Sequence, residues 1–264
     1  MKKYIISIIL FLSSLCFSEN IRLASFNVKN LGKSTKDYNS LTKILSKFDI
    51  IALEEVINEK SLLYLVDKLG SEYDYVISKP VGTRKYKEYY AILYKKSKVD
   101  KIYNVGKYQE KDNEFIREPS AFYVKSNKLD MLLIPVHSIY GDNAKERAYE
   151  ASKYLQVYKY FKEKTGQDDI IILGDFNLPA SDKAFDELKQ NGFSNILNPL
   201  ADKTTLSKTG LANSYDNIFI NLNNTKAFTN RYGVYDFTRN NHELIRKYIS
   251  DHLLIFIELN NEED

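Results

Sequence analysis

The sequence predicts an α+β fold: two mostly antiparallel β-sheets packed face to face with helices on both outer faces, a four-layer α/β/β/α sandwich. Apolar, strand-like runs follow one another without an intervening helix as often as with one, which favours antiparallel pairing over a doubly wound parallel sheet. The helical segments are amphipathic, each with one stripe to lay on a sheet. No Pro/Gly/Ser linker, repeat or low-complexity tract interrupts residues 19–264, so the elements belong to one domain.

In chain order, residues 21–26 read as a first strand. Leu41, Ile44, Leu45 and Phe48 then recur at helical spacing before an apolar strand over 50–53. Leu62, Leu65, Val66 and Leu69 mark a second helix, stopped by Gly70. Strands follow at 73–77, 89–94, 121–124 and 131–136. The longest helix is expected from Asn143, with Glu146 three residues on as in a capping box, through Ala144, Ala148, Ala151, Leu155 and Tyr158 to Gly166. A strand at 170–173, a short helix near 184–188 and strands at 215–220 and 253–259 complete the chain.

Residues 1–18 stand apart. Lys2 and Lys3 precede an apolar run over 5–12, the pattern of a secretory leader, and too short to span a bilayer. Cleavage is expected between Ser18 and Glu19, leaving 246 residues (264 less 18) for export to the periplasm or the medium. Bulky Leu15 disfavours lipidation of Cys16. Cys16 is the only cysteine, so the exported protein has no disulfide and relies on its core, to which 21 Tyr and 14 Phe contribute. Loss of Lys2 and Lys3 takes the net charge from +3 to +1, 36 basic against 35 acidic residues. That average carries no nucleic-acid footprint, so any basic groove is local.

The chemistry gathers at strand ends. The run 170–173 ends in Gly174-Asp175-Phe176-Asn177, placing a carboxylate and a carboxamide two residues apart at the lip of a sheet. Glu54-Glu55 ends another strand, Val136-His137-Ser138 a third, and Ser250-Asp251-His252 precedes the last. Of three histidines, His137 and His252 stand at such ends, while His242 lies in a polar stretch and reads as surface. Glu54 reads as a solvated charge or an acid at the N-terminus of the helix that follows, and Asp175, Asp216 and Asp251 alone would be turn-capping carboxylates. With Glu55 they form a hard oxygen-rich set suited to Mg²⁺, Mn²⁺ or Ca²⁺. No Cys/His spacing supports zinc, and neither a P-loop nor a dinucleotide fingerprint is present.

The succession Ala24-Ser25-Phe26-Asn27, Leu53-Glu54-Glu55-Val56, Val136-His137-Ser138, Gly174-Asp175-Phe176-Asn177, Tyr215-Asp216-Asn217 and Ser250-Asp251-His252 resembles the endonuclease/exonuclease/phosphatase superfamily over residues 20–259. Tyr86-Lys87-Glu88-Tyr89-Tyr90 and Phe115-Ile116-Arg117-Glu118-Pro119 resemble its deoxyribonuclease I branch in particular. The resemblance implies the two-sheet sandwich and a monomeric, divalent-metal-dependent endonuclease that acts on DNA without stable membrane association. It also implies roles: His137 paired with Glu88, His252 with Asp216, and a cation, Mg²⁺ foremost, held by Glu55 with Asn27 and Asp251 nearby. Asp175 and Asn177 would complete the pocket around the scissile phosphate, Arg117 would reach a phosphate oxygen or brace the site, and Tyr86 would pack against a minor-groove sugar.

The chain departs from that pattern in three places. The family's disulfide partners are absent. Ile57 stands where the branch has a minor-groove arginine, and the basic Arg84-Lys85 pair before Tyr86 is expected to supply the missing phosphate contacts. Asp202 and Thr204 fall where the family has a calcium-binding stretch, with little residue match. The rival readings are a lipid or small-phosphodiester hydrolase of the same superfamily, whose branches lack the Tyr-Lys-Glu and Arg-Glu-Pro segments, and a non-catalytic binding protein. The latter would be expected to lose a histidine or the metal glutamate.

Overall fold

The structure is a computed structural model that describes residues 20–262 except Arg84. The expected leader at residues 1–18, with Cys16, and the contact residue Arg84 lie outside the described residues. The elements run β1 (Ile21–Leu31), α1 (Tyr38–Leu45), β2 (Ile50–Val56), α2 (Glu59–Leu69), β3 (Tyr73–Ile77), β4 (Val81–Gly82), β5 (Lys87–Lys95), β6 (Lys101–Lys107), β7 (Ser120–Ser126) and β8 (Leu129–His137). They continue with α3 (Ala144–Ala151), α4 (Tyr154–Thr165), β9 (Ile170–Asp175), a 3₁₀ turn (Lys183–Phe185) entering α5 (Asp186–Gln190), β10 (Phe193–Asn195), β11 (Asp216–Asn221), β12 (Phe228–Tyr235), α6 (His242–Tyr248) and β13 (Leu254–Leu259).

One sheet has the order β12-β13-β1-β2-β5-β3 with β4 beside β5, the other β10-β11-β9-β8-β7-β6. Among the described strands the parallel pairs are β1–β2 and β8–β9, one at the heart of each sheet. The layers follow from three apolar clusters. Ile50, Ile92, Phe122, Leu133, Leu173 and Ile257 fill the space between the sheets. Leu155, Phe161, Phe176 and Phe219 pack α4 onto the second sheet, and Leu41, Leu45, Leu62 and Leu65 pack α1 and α2 onto the first. Strands buried on both faces explain the unbroken apolar runs.

This topology puts the polar strand ends together. The C-terminal ends of parallel β1, β2, β8 and β9 lie at one rim, and antiparallel β5, β11 and β13 bring their N-terminal ends to the same rim. His137 and Asp216 are both cross-strand partners of Asp175. Gly174 permits the closeness: a Cβ there would lie 2.1 Å from Val136 O, and its φ of +140° is a conformation side chains rarely adopt.

Four readings of the sequence need correction. The helix expected over 143–166 is two helices; Asn143 caps the first as expected, accepting from the Lys145 and Glu146 amides. It ends where the Ser152 hydroxyl bonds back to Tyr149 O, 2.6 Å, and α4 resumes at Tyr154. β6 and β12 are absent from the strands the sequence predicts; both are outer strands with partly exposed faces and no clean alternation. The polar stretch around His242 forms α6, with Asn241 at its start. Glu54 is not solvated: it is fully buried between the sheets, as period two dictates for a residue on the Ile50-Ala52 face.

Candidate active site

Two backbone irregularities aim the site. Between Asn27 and Leu31 β1 carries extra residues, with Lys29 and Asn30 at φ 50° and 52°, and between Leu53 and Val56 β2 bulges, with Glu55 at φ 58°. The bulge turns Glu55 out of the sheet toward the rim while Glu54 keeps its inward position, where the Ser25 hydroxyl donates to it at 2.8 Å. Burial, with Asp216 and Asp175 nearby, pushes the Glu54 carboxyl well above its ordinary range.

His137 is buried at the end of β8 with its Nδ1 2.6 Å from Glu88 Oε1. Burial alone would raise Glu88, but His137 and Arg117 outweigh it and hold the carboxyl below the usual range. An ionised Glu88 only accepts, so His137 Nδ1 carries the proton and Nε2 faces the pocket. Burial opposes the imidazolium, yet Glu88 raises the His137 pKa above its ordinary value. Arg117 Nε lies 3.0 Å from Glu88 Oε2, an ion-pair contact and not an aligned hydrogen bond. The Tyr90 hydroxyl, which nothing in the sequence singles out, accepts from the His137 amide at 3.1 Å.

His252 mirrors this arrangement. Its Nδ1 lies 2.9 and 3.0 Å from the two oxygens of Asp216. The Asp216 amide donates to Thr204 Oγ1 at 3.0 Å, which fixes the start of β11 beneath the imidazole. Burial would lower His252, but Asp216 and Asp175 overcome it and hold the imidazole well above its ordinary pKa. Burial also raises Asp216, so this pair keeps its proton firmly.

The imidazoles meet at Asp175. His137 Nε2 lies 3.8 Å and His252 Nε2 3.5 Å from Asp175 Oδ2. The same oxygen accepts from Asn27 Nδ2 at 3.1 Å, and Asn27 Nδ2 also reaches Glu55 Oε1 at 3.0 Å. The Lys29 amide donates to Asn27 Oδ1, which fixes the amide orientation and leaves its NH₂ between the two carboxylates. Glu55 Oε2 is held by the Asn30 amide at 2.9 Å.

Glu55, His137, Asp175 and His252 line an open pocket of about 400 Å³, with Asn27 buried beneath. Asp175, Asp216 and His252 bring ligand atoms within 4.8 Å of one another. Asp216, however, is spent on His252, whereas the Glu55 side chain is 16% exposed and opens to the pocket. Glu55 and Asp175, gathered by one amide, are therefore the donor pair that fits a hard divalent cation. Asp251 stands to one side, 3.3 Å from Lys29 Nζ and 3.8 Å from Arg246 Nη2.

Of the remaining expected residues, Asn177 anchors the loop after β9. Its amide donates to Asp175 Oδ1 at 2.9 Å and its Nδ2 to Ser138 O at 2.8 Å. Tyr86 sits at the mouth with its hydroxyl donating to Asn30 Oδ1, 3.2 Å, and the Arg117 guanidinium over its ring at 5.5 Å. Asp202 and Thr204 do not share a ligand set: Asp202 accepts the Asn198 amide, and Thr204 supports the start of β11. No sequence pattern points to Lys29, Lys36 and Arg246, which bring positive charge beside Asp251. Burial, with Lys29 nearby, pulls Lys36 down to about 8.

A sequence model of the Endonuclease/Exonuclease/phosphatase family matches residues 24–252. The chain belongs to this family. A deoxyribonuclease of Thioalkalivibrio sp. (strain K90mix) is 28% identical over 263 residues, covering 90% of this chain and 70% of that protein. Deoxyribonuclease gamma of Rattus norvegicus is 29% identical over 239 residues, 82% of this chain and 76% of that protein. These relatives place the chain in the deoxyribonuclease I-like branch of hydrolases. Among solved structures, D. rerio TDP2 complexed with a single-strand DNA product shares the fold with a TM-score of 0.66 at 18% identity, covering 92% of this chain and 99% of that one. An endonuclease/exonuclease/phosphatase family protein from Bacteroides thetaiotaomicron shares it at 0.60, with 18% identity, 91% of this chain and 97% of that one.

Proposed function

We propose that this chain is an exported, divalent-metal-dependent endonuclease that hydrolyses DNA phosphodiester bonds with His137 and His252 as its acid/base pair. The observation that carries this reading is the convergence of the two imidazoles. Each has a carboxylate on Nδ1, and each turns Nε2 toward the same Asp175 oxygen. A phosphate there would lie between two proton carriers. One imidazole takes the proton of the attacking water as its oxygen bonds to phosphorus; the other protonates the departing 3′ oxygen as the P–O bond breaks. The products carry a 5′-phosphate and a 3′-hydroxyl.

Glu88 and Asp216 hold the tautomers and stabilise each imidazole when protonated. Glu55 and Asp175 would hold the cation, Mg²⁺ foremost or Mn²⁺ or Ca²⁺, with Asn27 gathering them and Asp251 alongside. When bound, the cation offsets charge developing on the phosphate. Asn177 would orient a phosphate oxygen, Arg117 would reach one or brace the site through Glu88 and His137, and Tyr86 would lie against a sugar of the bound strand. Arg84 and Lys85 would supply further backbone contacts. DNA as substrate is supported by the deoxyribonucleases among the relatives. The leader-like residues 1–18 support export, with residues 19–264 acting as one monomeric domain. Among the described residues no helix is long and apolar enough to cross a membrane.

The test is plasmid nicking by the purified mature protein with Mg²⁺, Mn²⁺, Ca²⁺ or EDTA. Conversion of supercoiled to open-circular DNA with a divalent metal, abolished by EDTA, is expected. Failure to nick with every metal, alongside turnover of a lipid phosphodiester, would overturn the reading.

A further inference from the structure

The end of α6 is where the Ser250-Asp251-His252 segment begins, and apart from Ile245, packed against the outer cluster of the first sheet, and Ile249 just beyond it, α6 has little of its own to fix it there. It is seven residues long, buries no residue completely, and its N-cap Asn241 makes no side-chain capping bond. A helix this short does not persist without tertiary support. No glycine closes its C-terminus either: Ile249 follows at φ −117° and ψ −81°. Its last carbonyls would be left open.

They are taken by the loop between β1 and α1. Lys29 Nζ donates to Arg246 O at 2.8 Å, the Asp37 amide to Tyr248 O at 2.9 Å, and Lys36 Nζ to Ile249 O at 2.6 Å. Two ammonium groups thus sit where the helix dipole is negative. The Ser250 hydroxyl continues the seam by donating to Asn27 O at 2.6 Å, and the His252 amide donates back to Ser250 Oγ at 3.0 Å. The loop is shaped for this by the left-handed residues Lys29 and Asn30, and its Asn30 amide also holds Glu55. One short segment therefore ties the carboxylate side of the pocket to the histidine side.

Lys36 is the informative member. It is partly buried, and among the described residues its ammonium makes no ion pair with a carboxylate; its bonded partner is the Ile249 carbonyl. A lysine taken from water for one carbonyl is a costly way to close a helix. The position of that carbonyl, three residues before His252, is what the contact secures.

We propose that Lys36 is a positioning residue for His252: by holding the C-terminal end of α6 against the β1–α1 loop it fixes the Ser250-Asp251-His252 segment over Asp216. The inference rests on the acid/base role assigned to His252 above. Lys29 supports the seam but also meets Asp251, so Lys36 is the cleaner residue to change.

The test compares wild type, Lys36→Met and Lys36→Arg. Methionine keeps most of the stem and removes the donor; arginine keeps donor and charge. The chain has three histidines, so their ring ¹H–¹⁵N signals can be followed one by one. Lys36→Met is expected to move the His252 ring signals, leave those of His137 in place, and lower kcat for plasmid nicking by about tenfold to a hundredfold with little change in KM. Lys36→Arg should restore both. Unmoved His252 signals would overturn the inference, as would an unchanged kcat, or a shift of both His137 and His252 with a general loss of thermal stability. Should the wild type cleave no DNA, the functional reading fails by itself, and the ring signals still decide whether Lys36 positions His252.

Discussion

Replacing Glu88 by glutamine keeps the shape of a fully buried side chain and removes its charge. In the native structure that charge serves two cations at once: His137 through Nδ1 at 2.6 Å and Arg117 through Nε at 3.0 Å. Without it Arg117 stays largely buried and, among the described residues, keeps no carboxylate in ion-pair contact, Glu55 and Glu150 acting on it from farther off. Breaking a buried pair by removing one partner costs about 3–5 kcal/mol. For a chain of this size each kcal/mol moves Tm by about 2–4 °C, so Glu88→Gln should melt roughly 6–20 °C lower. His137 changes in a defined direction. Burial lowers its pKa and Glu88 raises it, so with the carboxylate gone burial prevails and the pKa falls. An amide can also present its NH₂ to Nδ1 and force the proton onto Nε2, the atom that must face the substrate. Either outcome removes support for the protonated ring, and kcat should fall by about 10²–10⁴. The assay is initial nicking rate at 25 °C, with circular-dichroism melts to establish that the variant is folded there. A folded Glu88→Gln protein with kcat within about threefold of wild type would refute the argument that Glu88 sets the state of His137.

Three further outcomes follow from the same geometry. Glu55→Gln, which removes one of two carboxylates gathered by Asn27, should raise the Mg²⁺ concentration needed for half-maximal rate by about tenfold or more, read by metal titration; an unchanged requirement would remove Glu55 from the cation site. Asp216→Asn removes the charge that most raises His252, so the limb of the pH–rate profile that His252 governs should move to lower pH, and a limb that stays put would contradict the pairing. Arg84→Ala with Lys85→Ala should weaken duplex binding and flatten its salt dependence by about 0.9 for each phosphate no longer neutralised, while hydrolysis of a small phosphodiester stays unchanged; an unaltered salt slope would sink the idea that this pair replaces the arginine missing at Ile57.

The sequence carried the site better than the frame around it. Glu55, His137, Asp175 and His252 were legible because each ends or precedes an apolar strand, and strand ends of a two-sheet sandwich share a rim; Asn27 was named only by the family likeness. Glu88 was not legible by pattern: in Tyr86-Lys87-Glu88-Tyr89 it reads as an exposed strand position, and only the family likeness singled it out. Glu54 misled because it sits where the strand was expected to have ended, yet it continues the Ile50-Ala52 face inward; the bulge at Glu55 is what turns only the second acid out to the rim. β12 escaped notice because an edge strand such as Phe228–Tyr235 leaves its centre in solvent and needs no apolar alternation. α6 escaped because much of what holds its end is distant in sequence: besides the packing of Ile245 and Ile249, its last carbonyls are met by Lys29, Lys36 and the Asp37 amide, more than 200 residues earlier (217 for Lys29, 213 for Lys36). Interactions of that kind leave no local periodicity to read.

Two opposed imidazoles carry the proposed chemistry, and nicking by purified His137→Ala and His252→Ala beside wild type is the measurement that decides it. Both rings border the pocket at strand ends, and because His137 is buried against Glu88 the melt of each variant is measured first to establish that it is folded. With Mg²⁺ present, each variant is expected to lose at least about 10² in kcat. Near-normal turnover by either folded variant would contradict it.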